Sequence, residues 1–205
     1  MPKLIFREGH IYHVYNRAHG FEKMFSAGGN YSYFLHRCVH YVDPVASCLS
    51  YCLMPNHFHL LIQVRERKNW SVISENTELE SLSEGEIHDQ VVKRLSSLFN
   101  SYTKGYNKQQ GRKGSLFMHS FRRKPVTDEK YLRKLIHYIH RNPVEAGLVE
   151  YPENWPYSSY RSMIFRGLPS PLPLDVEFVM QQFSDLQDFV DFHGQEGAFE
   201  LLDKL

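Results

Sequence analysis

The alternation of apolar and polar residues in the first third of the chain predicts three strands and one helix. Residues 10–18 are rich in aromatic and β-branched side chains, which favour a strand. Apolar residues recur at helical spacing over residues 30–42, with Asn30 as the expected N-cap. Residues 45–53 form a second apolar run, and a Pro-Asn turn separates it from a third at 57–64. The last two runs are therefore expected to pair as a hairpin.

The next stretch of the pattern predicts two further helices and one strand. A long helix is expected over residues 86–107 and a strand over residues 115–126. Another helix is expected to begin with Thr127 as its cap and to end near Asn142, because Pro143 disfavours a helical residue before it. The order β-α-β-β-α-β-α predicts an α+β sandwich in which one antiparallel sheet carries helices.

Three segments fall outside this regular pattern. Residues 65–86 are polar and acidic and are expected to form a mobile loop without a catalytic residue. The aromatic segment at residues 155–160 is expected to pack back on the domain. Residues 1–165 are predicted to be one domain, and residues 166–205 are predicted to be an acidic helical extension.

Composition excludes some classes of protein. The 205 residues suffice for one buried core, and no apolar run approaches the roughly 20 residues of a membrane helix. The N-terminus has no signal-peptide core, and the three cysteines form no Cys-x-x-Cys pair. A reduced cytoplasmic protein is expected, with no membrane partner and no nucleotide cofactor.

Charge is strongly segregated along the chain although the formal net charge is only +1. Residues 91–145 contain thirteen Lys and Arg against three Asp and Glu, whereas residues 146–205 contain three against ten. Aromatic residues are interleaved with the basic ones. This segment is typical of a protein that binds a phosphate backbone, although a solvated lysine-rich helix face would also fit.

Two histidines begin the third predicted strand. Because the side-chain period of a strand is two, His57 and His59 lie on one face and Phe58 lies on the other. Two neighbouring imidazoles on a half-buried surface can together hold one divalent metal ion. Two ligands do not complete a site, and many such pairs are accidental, so a third ligand has to come from elsewhere.

The helix that follows residue 127 has a polar stripe besides its apolar one. It consists of Tyr131, Lys134, Tyr138 and Asn142, at spacings that place them on one helix face. If this helix packs near the histidine strand, His57, His59 and Asn142 could hold a cation beside the Tyr138 phenol. The phenol could then attack a phosphodiester and form a covalent phosphotyrosine. Tyrosines on helices more often anchor packing.

Several motifs resemble the single-tyrosine HUH transposases, and most of all their REP-associated branch. They keep the order of the family and cover roughly residues 10–162. The motifs are Tyr12-His13-Val14, Asn16-Arg17, Met54-Pro55-Asn56-His57-Phe58-His59-Leu60-Leu61, Gly114-Ser115-Leu116-Phe117, Tyr138-Ile139-His140-Arg141-Asn142-Pro143-Val144, Ala146-Gly147-Leu148-Val149 and Trp155-Pro156-Tyr157-Ser158-Ser159-Tyr160.

The resemblance implies a ferredoxin-like fold and cleavage of single-stranded, often hairpin, DNA through a 5′-phosphotyrosine with Mg²⁺ or Mn²⁺. By matching position, Tyr138 is the nucleophile, His57 and His59 are metal ligands, and Asn142 completes the metal site. The REP-associated branch favours a monomer, although a dimer is possible. The acidic tail is not part of the family pattern and could cover the DNA. The candidate phosphate contacts are Arg112, Lys113, Arg122, Arg123, Lys124, Lys134 and Arg141.

Two other classes of function remain open from the sequence. One is a DNA-binding module that has no catalytic activity, such as a repressor of its own element. The other is a zinc protein that uses His57 and His59, which the lack of a nearby Cys or acidic ligand disfavours. The remaining histidines considered as ligands are less favoured; they are His13, His119, His137 and His140.

Overall fold

A computed structural model describes residues 4–20, 22–71, 81–118, 120–165 and 167–195. The strands and helices that build the sheet follow the predicted order. They are β1 (Ile11–Arg17), α1 (Gly28–Tyr41), β2 (Ala46–Met54), β3 (His57–Val64), α2 (Glu84–Gln110), β4 (Arg122–Val126) and α3 (Glu129–Glu145). Three shorter helices follow, α4 (Tyr160–Ile164), α5 (Val176–Met180) and α6 (Leu186–Gly194).

The four strands form one antiparallel sheet in the order β2-β3-β1-β4. Strand β1 reaches β2 through α1, and β3 reaches β4 through α2, so two β-α-β units interleave with β1 and β3 at the centre. This is the ferredoxin-like arrangement, and the predicted α+β fold with helices packed on a central antiparallel sheet is confirmed.

Helices cover both faces of the sheet. Phe58, Leu60 and Ile62 of β3 point to the face that α1 and α2 cover, where they share a core with Phe34 and Tyr102. The opposite face of β3 contributes Leu61 to a second core with α3 and α6. The alternation predicted for β3 is therefore correct, and the His57 and His59 side chains lie on the α3 face.

Two predicted helix caps are wrong. Helix α1 begins one turn earlier, with Ala27 as its N-cap residue, and Asn30 lies in the first turn. The Asn30 Oδ1 still accepts hydrogen bonds from the backbone N–H groups of Ser26 and Ala27. Helix α3 is capped by Asp128 and not by Thr127, because the Asp128 carboxylate accepts from the Tyr131 N–H.

The predicted end of α3 is also wrong. The helix continues past Asn142 to Glu145, with Pro143 inside it. Pro143 is buried against the domain, and the Ala146 N–H donates to the Asn142 carbonyl. Tertiary packing therefore overrides the local preference of the residue before a proline.

The other element boundaries differ less from the prediction. Helix α2 begins before residue 86 because Ser83 and Glu86 form a capping box. It is followed by Gly111, which adopts a left-handed φ of 62°. The predicted strand at 115–126 is regular only in β4, and nearer its start a single bridge joins Phe117 to Ala18.

Only the two ends of the predicted acidic loop are described. Residues 67–69 form a short 3₁₀ helix, Arg67 forms an ion pair of 2.7 Å with Glu8, and the second end is the start of α2. Residues 72–80 lie outside the described residues. Within the C-terminal extension the described part contains α5 and α6, while residues 166 and 196–205 lie outside it.

The aromatic segment packs back on the domain as expected. The Tyr157 ring stacks on Tyr31 at a centroid distance of 3.6 Å and an interplanar angle of 7°. The Trp155 indole N–H donates to the Leu53 carbonyl at 3.0 Å, and the Leu53 N–H donates to the Tyr157 carbonyl. The segment therefore fastens the chain that follows α3 to the edge strand β2.

Two findings bear on the compositional expectations. Among the helices that the structure describes, none is long and apolar enough to cross a lipid bilayer. The three cysteines are all buried and none forms a disulfide.

Candidate active site

The candidate site lies where helix α3 crosses the start of strand β3. The Pro55-Asn56 turn delivers His57 and His59 to the α3 face of the sheet. Helix α3 packs on this face through its apolar stripe. Tyr138 and Asn142, one helical turn apart, then face the two imidazoles, so the predicted polar stripe meets the predicted histidine pair.

The two imidazoles converge on one carboxamide. The His57 Nε2 lies 3.0 Å from the Asn142 Oδ1, and the His59 Nε2 lies 3.4 Å from the Asn142 Nδ2. The two rings are nearly perpendicular, with centroids 5.1 Å apart. On the other side of its ring, the His57 Nδ1 lies 2.7 Å from the Asn56 Oδ1, which holds the imidazole in place.

Burial keeps the two imidazoles neutral. It lowers the pKa of His57, an effect that the hydrogen bond to Asn142 partly offsets. Burial lowers the pKa of His59 still further, and the neighbouring His13 and His57 rings add to the shift. Near neutral pH both rings are therefore neutral, with one protonated and one unprotonated nitrogen each, which is the form that binds metal ions.

The Tyr138 phenol lies beside this group. Its ring meets the His59 ring edge-on at a centroid distance of 5.3 Å. Burial raises the pKa of Tyr138, while a hydrogen bond with Asn142 and the charge of Lys124 act in the opposite direction. The phenol is therefore protonated near neutral pH, and it has to lose that proton before its oxygen can attack an electrophile.

His13, which the sequence analysis considered as a ligand and disfavoured, lies within the site. It lies on β1, is 4% exposed, and its Nε2 lies 2.9 Å from the His59 Nδ1. Its ring also stacks on Tyr15 at a centroid distance of 4.7 Å. Its sequence signals were a place on the first strand and in the motif Tyr12-His13-Val14, but no local pattern reveals which strand will lie beside β3.

The donor atoms present fit a divalent cation. Among the residues that the structure describes, no group of three or more His, Cys, Asp or Glu side chains is arranged to hold a metal ion. Two neutral imidazole nitrogens and a carboxamide oxygen nevertheless converge at one point. A mixed nitrogen and oxygen donor set is compatible with Mn²⁺ or Mg²⁺.

The candidate phosphate contacts of β4 lie on both faces of the sheet. Lys124 pairs with His13 and Arg122 pairs with Tyr15 across β1, so both side chains lie on the candidate-site face. Arg123 points to the opposite face, where its guanidinium lies 4.9 Å from the Phe6 ring centroid. Lys113 is exposed in the glycine turn.

Two of the other predicted phosphate contacts are bonded within the protein. The Arg112 guanidinium binds Glu22 at 2.7 Å and the Asn107 Oδ1 at 2.7 Å. The Arg141 guanidinium bonds Glu145 and the His193 carbonyl. Lys134 lies one turn before Tyr138 on α3, on the half-exposed side of that helix.

A groove of about 810 Å³ lies on the opposite face of the sheet, between α2 and the segment that leads to β4. Phe99, Phe117 and Phe121 contribute aromatic surface, and Asn100 contributes a carboxamide. The side chains of Lys104 and Arg123 add positive charge. Aromatic surface beside cations is typical of grooves that bind single-stranded nucleic acid.

Two of the disfavoured histidines lie away from the site. His137 and His140 are buried on the side of α3 that faces α6. His119 lies outside the described residues. The structure thus brings together four of the predicted residues, Tyr138, His57, His59 and Asn142, and places Arg112, Arg123 and Arg141 in contacts elsewhere.

Comparisons with known proteins are consistent with this arrangement. The observed fold is the ferredoxin-like one that the motif resemblance implied. No family model matches the chain. A putative REP-associated tyrosine transposase of Haemophilus influenzae is 29% identical over 123 residues, which cover 60% of this chain and 62% of that protein. The chain therefore spans less than two thirds of this curated relative.

A solved structure supports the same fold. The structure of a REP-associated tyrosine transposase bound to a REP hairpin is 16% identical, has a TM-score of 0.56, and covers 83% of this chain and 88% of its own. A bacterial tRNA(His) guanylyltransferase-like protein in complex with GTP reaches only 0.43 at 10% identity, covering 70% of this chain and 68% of its own. The curated relative and the first structure both carry the description of a REP-associated tyrosine transposase, and the first structure shows that its fold is shared by this chain.

Proposed function

We propose that the protein is a metal-dependent single-stranded DNA endonuclease and strand transferase of the transposase type, with Tyr138 as its nucleophile. The observation that carries this proposal is the convergence of the Tyr138 phenol, the Asn142 carboxamide and the Nε2 atoms of His57 and His59. A nucleophile therefore lies beside a set of donors suited to a cation that would bind a phosphate.

The covalent step follows from the chemistry of a phenol. The Tyr138 oxygen loses its proton and attacks a phosphodiester phosphorus, a new O–P bond forms, and the bond from phosphorus to the 3′ oxygen breaks. The leaving 3′ oxygen takes up a proton and becomes a 3′ hydroxyl. The 5′ phosphate remains on the tyrosine, and attack by another 3′ hydroxyl reverses the step and joins two strands.

The residues around Tyr138 have separate roles in this proposal. His57, His59 and Asn142 hold the divalent ion, which supplies Lewis-acid polarisation of a phosphate oxygen when it is bound. Asn142 lies one helical turn after Tyr138 on α3, so one short helix positions both the nucleophile and a ligand. All four side chains come from one chain, which supports the expected monomer.

Single-stranded or hairpin DNA is the proposed substrate. The related solved transposase was bound to a REP hairpin, and the basic segment of this chain contains β4 and α3. Arg122 and Lys124 lie on the same face as Tyr138 and are the proposed phosphate contacts next to the break. Lys113 and Lys134 extend this surface. Arg112 and Arg141 are bonded within the protein and support the fold instead.

The nucleophile is tested with labelled hairpin DNA and Mn²⁺ on a denaturing gel. Wild type is expected to form a covalent adduct that retains the label 3′ of the break, and Tyr138→Phe is expected to form none. Tyr131→Phe is the matched control, because Tyr131 lies on the same helix two turns away. An adduct formed by Tyr138→Phe would show that another residue attacks the phosphate. If wild type binds a broad hairpin panel but never cleaves it, the chain is a DNA-binding module.

A further inference from the structure

The interior of the site contains a histidine for which the proposed reaction has no direct use. His13 lies on β1 directly opposite Leu61 of β3, and its neighbour Tyr15 lies directly opposite His59. His13 is therefore the diagonal neighbour of His59 on the same sheet face. The two rings are tilted by only 23°, and the hydrogen bond between them is 2.9 Å long.

A packing role does not account for an imidazole at this position. His13 is almost fully buried, and among the described residues its Nδ1 has no hydrogen-bond partner. Burying an unpaired polar atom lowers stability, and an apolar side chain would avoid that loss. The hydrogen bond that the structure describes for the His13 side chain is with His59. The role of the His13 imidazole is therefore to be sought in its contact with His59.

Proton positions decide whether His59 can bind a cation. A neutral imidazole has one N–H group and one lone pair, and a metal ion needs the lone pair. The His59 Nε2 is the nitrogen that faces Asn142, so it is the nitrogen available to a cation. The proton of His59 then has to lie on Nδ1, and that N–H group points at the His13 Nε2.

We propose that His13 is a positioning residue that accepts a hydrogen bond from the His59 Nδ1–H and so presents the His59 Nε2 lone pair to the divalent ion. This inference rests on the proposed metal site. Metal-binding histidines in proteins commonly donate their second ring N–H to an acceptor of this kind. Here the acceptor is itself a histidine, delivered by the neighbouring strand.

The test uses Mn²⁺ alone and the full chain without DNA. His13→Leu removes the acceptor, and the Mn²⁺ dissociation constant, measured by titration with electron paramagnetic resonance, is expected to rise about 10- to 100-fold. His13→Gln places an amide atom near the lost Nε2 and is expected to stay within a few-fold of wild type. His36→Leu, on the exposed side of α1, is the matched control and is expected to leave the affinity unchanged.

A second measurement needs no variant. In wild type labelled with ¹⁵N-histidine and saturated with Mg²⁺, long-range ¹H–¹⁵N correlation is expected to show the His59 proton on Nδ1. A proton on Nε2 overturns the proposal. Equal Mn²⁺ affinities of wild type and His13→Leu also overturn it, as does a His13→Gln affinity as weak as that of His13→Leu. If wild type itself binds no Mn²⁺, the metal site of the proposed function fails together with this inference.

Discussion

Clusters that contain histidines lie on two sides of helix α3. They differ in how completely their polar atoms are hydrogen-bonded within the protein. On one side lies the open cluster of His57, His59, Tyr138 and Asn142. On the other lies a closed cluster of His140, His193, Ser50 and Ser159, all of them buried.

In the closed cluster every imidazole nitrogen has a partner. The His193 Nδ1–H donates to the Phe189 carbonyl at 2.7 Å, which leaves the His193 Nε2 to accept from the His140 Nδ1–H at 3.0 Å. The His140 Nε2 then accepts from the hydroxyl of Ser159 at 2.8 Å or of Ser50 at 3.0 Å. The cluster joins α3 to β2 and α6, and no lone pair remains for a ligand.

The open cluster has spare bonding capacity. The Nε2 atoms of His57 and His59 share one carboxamide, and the second of these contacts is 3.4 Å long. Tyr138 is only half-buried, so a substrate can reach its phenol. The two clusters contain similar numbers of histidines. What distinguishes a candidate metal site from a structural network is therefore how strongly each ring nitrogen is hydrogen-bonded within the protein.

The largest expected effect is on the rate of DNA cleavage, which should fall for a variant of the open cluster and not for a variant of the closed one. His57→Ala removes a proposed metal ligand and should slow adduct formation with Mn²⁺ on the order of 100-fold or more, since a Lewis acid supplies several kcal/mol of transition-state stabilisation. His140→Ala should leave the rate per folded molecule within a few-fold of wild type. Single-turnover rates on a labelled hairpin measure both variants. Equal rates for His57→Ala and wild type would show that His57 is not a metal ligand required for cleavage.

The second effect is on stability, and here His140→Ala should be more damaging than His57→Ala. His140→Ala leaves the buried Nε2 of His193 without its partner and removes the shortest hydrogen bond of Ser159, so the free energy of unfolding should fall by about 2 kcal/mol. His57→Ala removes a half-buried ring whose Nε2 has only the shared carboxamide, and it should change stability by less than about 1 kcal/mol. Urea unfolding at pH 7.5 compares them. A larger loss for His57→Ala would contradict the assignment of a structural role to the closed cluster.

The smallest effect is the pH dependence of stability. Burial lowers the pKa of His193 to about 3 and that of His140 well below its usual value. Since the unfolded chain binds these protons more readily, stability is complete above about pH 6.5 and falls as the pH drops below it. Each such ring contributes a slope of up to about 1.4 kcal/mol per pH unit.

His193→Gln should reduce this acid slope, because the amide can accept from His140 but does not titrate. Urea unfolding at pH 6.0 and 5.0 measures the difference, with His36→Gln on the exposed side of α1 as the control. If the slope of His193→Gln equals that of wild type, water already reaches the closed cluster in the folded state.

Much of the fold follows from local patterns. The order of the elements around the sheet and the opposite faces of Phe58 and His59 depend only on side-chain periodicity, which is a property of consecutive residues. The same is true of the shared face of Tyr138 and Asn142 on α3. These patterns and the family motifs were sufficient to predict the ferredoxin-like sheet and the four residues that the structure brings together.

Which atoms these side chains contact was decided by the tertiary structure, because the contacting residues are distant from one another in sequence. His13 meets His59 across 46 positions through the register of β1 and β3, and His140 meets Ser50 across 90. Arg112 contacts Glu22 and Arg141 contacts His193, so two of the predicted phosphate contacts are also bonded within the protein. Local sequence specifies which face a side chain points to, whereas only the packed strands and helices determine which atom it meets there.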